Sequence, residues 1–153
     1  MADLLALLAG IGYNRSMDDR TEGVGWIRRV MRFSQAEFEE LVAEALDELP
    51  DQIQRWLDNV AIVVAQDPTP DQLRSAGLGR GRLLFGLYQG VPKTRRGVTY
   101  GESLPDKIVI FQHPIERLCH TREDVRNQVR RTVLHEVGHH FGLDEKELDA
   151  AGV

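Results

Sequence analysis

Cysteine is nearly absent from this 153-residue chain: Cys119 stands alone, so no internal disulfide can form. That usage fits a reducing compartment. Methionine is also scarce, with three residues of which Met31 is the last. No apolar run approaches the roughly 20 residues that a membrane span needs, so no membrane partner is expected. The short patch Leu4, Leu5, Leu7 and Leu8 has no basic segment before it, so it does not read as a secretory signal and a cytoplasmic location is expected. Positive charge is the minority sign, with 19 Lys and Arg against 24 Asp and Glu, a net of −5. That balance argues against a dedicated nucleic-acid binder.

What remains is an ordinary globular composition, 42% hydrophobic and 28% charged, at a length suited to one packed domain. The charge is unevenly spread. Residues 35–60 hold eight acids and one base, whereas residues 91–134 hold nine bases and five acids. The five histidines are uneven too, three of them falling within residues 135–140. That crowding is the most informative feature of the chain.

Residues 1–30 carry no sustained helical or strand period and are expected to form a weakly ordered extension. At Phe33 the pattern sharpens. Ser34 with Glu37 makes a capping box, and Phe33 with Phe38 occupies the two positions of a hydrophobic staple. Phe38, Leu41, Val42, Ala45, Leu46 and Leu49 then recur at helical spacing. The domain is therefore expected to span 31–153. A second helix is expected near Asp51 to Leu57, and the β-branched run Val60 to Ala65 reads as a buried strand. Asp71 to Ala76 suits a helical turn, Leu83 to Tyr88 a second strand, and Ile108 to Phe111 a third. Gly77-Leu78-Gly79-Arg80-Gly81 lacks the Lys-Ser/Thr of a phosphate loop and reads as a plain loop. Residues 93–106 read as a polar loop.

The last major element is a long helix. Thr121 caps it, Glu123 and Asp124 suit its positive end, and Val125, Val129, Val133 and Val137 face inward. Gly142 ends it, and a short acidic helix follows from about Asp144. The expected architecture is α+β, a small mixed sheet against helices.

The end of the long helix reads His135-Glu136-Val137-Gly138-His139-His140-Phe141-Gly142-Leu143-Asp144-Glu145. Histidines four apart project from one helix face and can grip one ion. Glu136 lies beside that ion rather than on it, where it can take a proton from a metal-bound water. Only fourteen residues follow His139, too few for a ligand on a distant later helix. A chain turned back by Gly142 brings up an acidic ligand instead, Glu145, with Asp144 its immediate competitor. Two imidazoles and a carboxylate suit one zinc ion and leave its fourth position open, as in catalytic sites. His140 is about 100° around the helix from His139, so packing or surface is its expected role. His113 and His120 are expected at the surface. Tyr88, Tyr100, Arg95 and Arg96 are candidates for stabilising an oxyanion. Cys119 has no motif that marks it as a nucleophile.

From about Phe33 onward the chain resembles the minimal zincin family, small bacterial metallopeptidase-like proteins. The resemblance rests on Phe38-Glu39-Glu40-Leu41-Val42, Ala45-Leu46-Asp47-Glu48-Leu49-Pro50, Gly86-Leu87-Tyr88-Gln89-Gly90-Val91-Pro92, Leu104-Pro105-Asp106-Lys107-Ile108 and Pro114-Ile115-Glu116-Arg117. It ends on His135-Glu136-Val137-Gly138-His139-His140-Phe141-Gly142, so it covers roughly four-fifths of the chain. It implies a small zincin-like fold with its metal helix near the C-terminus, zinc on His135 and His139, Glu136 as general base and an acidic third ligand, placed here on Glu145. That family usually carries Asp there, so Glu145 is a departure. The metzincins have a third histidine at this point and a methionine-containing turn; this chain has no Met after Met31. The function implied is a zinc-dependent metallopeptidase acting on a peptide or protein. The competing expectation is a non-catalytic metal-binding protein that docks a partner through its acidic helix or its basic segment.

Overall fold

Capping boxes mark where four of the six described helices begin. In the computed structural model, which describes residues 31–78, 81–90 and 106–153, helix α1 runs Gln35–Asp47 with Ser34 and Glu37 closing a reciprocal capping box. Thr69 with Gln72 does the same for α3 (Pro70–Ser75), and Thr121 with Asp124 for α5 (Arg122–His140). Helix α2 (Asp51–Leu57) follows Pro50 directly. Two helices flank α5: α4 (Gln112–Leu118) before it and α6 (Glu145–Ala151) after it. Together with three strands, β1 (Val60–Ala65), β2 (Gly86–Gln89) and β3 (Asp106–Phe111), these make an α+β fold.

The sheet order among the described residues is β1-β3-β2, with β1 parallel and β2 antiparallel to the central strand. Side chains alternate across a strand, so β3 serves two cores. Ile108 and Ile110 join Phe38, Leu41, Val129 and Val133 in the main core, under α1 and α5. Val109 and Phe111 pack on the other face with Leu84, against partly buried Leu73 and Leu78. The inward stripe expected for α5 is buried throughout, at Val125, Val129, Val133 and Val137.

Three expectations need correcting. Val60–Ala65 is a strand, but among the described residues it lies at the sheet edge, and Ala61 and Val63 are exposed. A β-branched apolar run reports strand propensity, and which strand becomes central depends on pairings the run does not encode. Strand β2 is shorter and later than Leu83 to Tyr88, although the Phe85 carbonyl still accepts the Phe111 amide at 2.9 Å. Helix α4 was not anticipated at all. Pro114 sits in its first turn, where a missing N–H costs nothing, and Gln112, Ile115 and Glu116 are buried. Its buried polar pair is satisfied across the chain: Glu116 accepts the Phe33 amide at 3.0 Å, and Gln112 donates to the Phe33 carbonyl at 2.9 Å. That clamp fixes the entry into α1.

The uneven charge has a partly internal explanation. Arg126 of α5 bonds Glu44 at 3.1 Å and also pairs with Glu48 and Glu123; Arg130 pairs with Glu48 and Glu123. Acids of the first helix are thus matched by arginines of the fifth. Among the described residues no helix is long and apolar enough to cross a membrane.

Candidate metal centre

Helix α5 lies close on β2 because Gly86 has no side chain. A Cβ there would stand 2.4 Å from Thr132 Cγ2 and 3.2 Å from the Val109 carbonyl. One helical turn past Thr132, Glu136 meets the strand again: its Oε2 accepts the Tyr88 backbone N–H at 2.8 Å. In the β2–β3 register Tyr88 opposes Ile108, and three pairs along the Phe111 amide bonds the Phe85 carbonyl, so the Tyr88 amide faces away from β3 and reaches the helix. Burial pushes the Glu136 carboxyl up from its ordinary value, opposed by the Tyr88 amide and by the nearby imidazoles of His135 and His139.

On the adjoining part of the helix, His135 and His139 bring their Nε2 atoms within 3.0 Å of each other, rings nearly perpendicular at 86°. His139 is oriented from behind, with its Nδ1 3.1 Å from the Leu143 carbonyl, the kind of outer contact that leaves Nε2 to face an ion. Gly142 has φ +89°, a conformation glycine adopts freely, and there the chain reverses. It returns with Asp144 as N-cap of α6. The Asp144 carboxylate accepts the Glu147 amide at 2.9 Å, and the Glu147 carboxylate accepts the Asp144 amide at 2.8 Å. Glu145, the first residue of the helix, instead reaches the histidines: its Oε1 is 2.9 Å from His139 Nε2 and 3.5 Å from His135 Nε2. Of the two acids left open by spacing, one caps a helix and the other joins the imidazoles. The sequence carried the signal that separates them, since Asp144 and Glu147 stand at capping-box spacing.

His135, His139 and Glu145 form the group of potential metal ligands that the described residues bring together. Their separations of 2.9, 3.0 and 3.5 Å can be compared with a tetrahedron. Four ligands at about 2.1 Å from zinc lie about 3.4 Å from one another. The donor set and its spacing therefore fit zinc, and Glu145, 69% exposed, leaves the group facing solvent.

The family model for zincin-like metallopeptidases matches residues 57–153, from the end of α2 through the whole sheet and the histidine-bearing helix. The chain belongs to this family. A comparison with curated proteins finds no match.

The other residues singled out in this zincin-like chain are placed as follows. His140 is buried, its ring 4.6 Å from Tyr88 and 5.3 Å from Phe141, so it packs. Tyr88 therefore contributes its backbone to Glu136 while its ring lies against His140. Tyr100, Arg95 and Arg96 lie outside the described residues, as do residues 1–30, expected to form a weakly ordered extension. His113 pairs with Asp67 at 2.6 Å and His120 is exposed, both apart from the three-ligand group. Cys119 is buried, and burial pushes its thiol up to about 12. The Tyr88 amide is the contact that sequence reasoning missed; no residue type marks it, because every non-proline residue carries the same donor.

Proposed function

We propose that the chain is a zinc-dependent peptidase, with one zinc on His135, His139 and Glu145 and with Glu136 as general base. The observation that carries this reading is the convergence of three ligand atoms beside a carboxylate held by a strand amide. When bound there, zinc supplies Lewis acidity that polarises a peptide carbonyl and acidifies a water.

The chain's own groups do the rest. The Tyr88 amide holds Glu136 Oε2, leaving the other oxygen to accept a proton from the attacking water. The water oxygen bonds to the carbonyl carbon, the C–N bond breaks, and Glu136 passes the proton to the departing amine nitrogen. The Leu143 carbonyl, at His139 Nδ1, would hold that ring with Nε2 directed to the ion's place. The substrate peptide is read as an extended segment beside the edge of β2 that carries no further strand among the described residues and that touches Glu136. Residues 31–153 are taken as the catalytic unit, since α1 contributes Phe38 and Leu41 to the same core as α5.

The test is a screen of zinc-loaded protein against a fluorogenic peptide library, wild type beside Glu136→Gln. Turnover in the wild type, lower by about 10²-fold or more in the variant with zinc retained in both, is the expected result. Stoichiometric zinc with no turnover on any peptide overturns the enzyme reading in favour of a metal-binding interaction protein.

A further inference from the structure

Gly138 sits between the two histidines on α5, buried and away from the positive-φ region where glycine is needed for its backbone. Alanine is the better residue inside a helix, so the absence of a side chain here calls for a spatial reason. The structure supplies one. A Cβ on Gly138 would stand 2.3 Å from Leu148 Cδ2 and 3.5 Å from Leu143 Cδ1.

Leu148 is the one buried residue of α6, a helix of seven residues that is too short to hold itself. It is fully buried, and Leu143 and Val153 are buried on either side of the helix. The Leu143 amide bonds the Gly138 carbonyl at 3.0 Å, so the returning chain is tied to the helix at the same glycine. Glu145 lies three residues before Leu148, one turn away on the same side of α6. It is exposed, and its contacts are with the two imidazoles. A shallower seat for Leu148 above Gly138 would carry α6, and Glu145 with it, away from His135 and His139.

We infer that Gly138 and Leu148 are positioning residues for the metal centre, a notch and a plug that set the distance of the third ligand. This inference rests on the proposed assignment of Glu145 as that ligand. Neither residue touches the ion; each acts through α6.

The test is a double-mutant cycle on the whole chain. Zinc affinity is measured by competition with a chromophoric chelator for wild type, Gly138→Ala, Leu148→Ala and the double variant. Amide hydrogen exchange across α6 is measured on the metal-free forms. With Leu148 present, Gly138→Ala is expected to weaken zinc binding about tenfold or more, in the range seen for outer contacts that orient ligands. It should also speed exchange at the amides of Leu148 and Val153. In the Leu148→Ala background the same change removes no space that is occupied, so affinity and exchange should stay level or improve. An equal effect of Gly138→Ala in both backgrounds, or none in either, overturns the inference. A wild type that binds no zinc refutes the metal reading and with it the positioning of a ligand, whereas unchanged α6 exchange with tight zinc binding refutes the notch alone.

Discussion

Gly86→Ala is a one-carbon change whose cost can be worked from the contact it creates. The added Cβ would lie 2.4 Å from Thr132 Cγ2, against about 3.5–4.0 Å for an ordinary carbon contact. The strand cannot yield easily, because the Val109 carbonyl stands 3.2 Å away on the β3 side. Thr132 is β-branched and tied by its hydroxyl to the Gln128 carbonyl, so its methyl stays in place and helix α5 is expected to back off by roughly 1 Å or more, the difference between those distances. Overpacking of this kind costs about 1–3 kcal/mol. For a domain of this size that is a fall in Tm on the order of 4–12 °C. A retreat of 1 Å also stretches the 2.8 Å bond from the Tyr88 amide to Glu136 beyond hydrogen-bonding range. The assay is thermal unfolding by circular dichroism on wild type, Gly86→Ala, Thr132→Ser and the pair. Thr132→Ser removes the offending methyl and keeps the hydroxyl bond to the Gln128 carbonyl, now 2.8 Å. The double variant should recover most of the lost Tm. A Gly86→Ala protein as stable as wild type, or a loss that Thr132→Ser leaves untouched, refutes the close-approach argument.

Two further outcomes follow from charge and burial. Cys119, buried and with its thiol pushed up to about 12, should resist alkylation by iodoacetamide at pH 8 in the folded protein and react fully in denaturant, as mass spectrometry can show. Burial acts against the charge of Asp124, but the amides of His120 and Thr121 and the Thr121 hydroxyl outweigh it, and its carboxyl sits below the ordinary range. Stability from this lowered pKa is present above the unfolded value of about 3.9 and is lost as pH falls through the folded one. Asp124→Asn should therefore be less stable than wild type at pH 7 in urea denaturation, with the gap closing below about pH 4. A gap that stays constant down to pH 2 rules out the charged cap.

Elements whose signals are local were legible in the sequence. Ser34 with Glu37 and Thr121 with Asp124 mark helix starts because a cap needs only residues three apart. The valine stripe of α5 and the pairing of His135 with His139 follow from the same helical period. What escaped depends on contacts between distant parts of the chain. That β1 is an edge strand is decided by its pairing with β3 some 46 positions on. The roles of Gly86 and Gly138 are set by Thr132 and Leu148, and a glycine in a sequence does not name the group that fills its space. Helix α4 is a single short element between stronger ones, and its polar residues are buried because they bond to the Phe33 backbone. The choice between Asp144 and Glu145 falls between these cases. The capping pattern was local and visible, but the approach of Glu145 to the imidazoles required the turn at Gly142.

The most direct test of the account is the zinc content of the purified chain after dialysis against zinc and removal of the excess, read by plasma mass spectrometry. The account predicts one zinc per chain in the wild type. It also predicts one in Asp144→Ala, which loses a helix cap worth about 1 kcal/mol, and a marked loss in Glu145→Ala and His135→Ala. A wild type without stoichiometric zinc would contradict it, as would a chain that keeps its zinc in Glu145→Ala and loses it in Asp144→Ala.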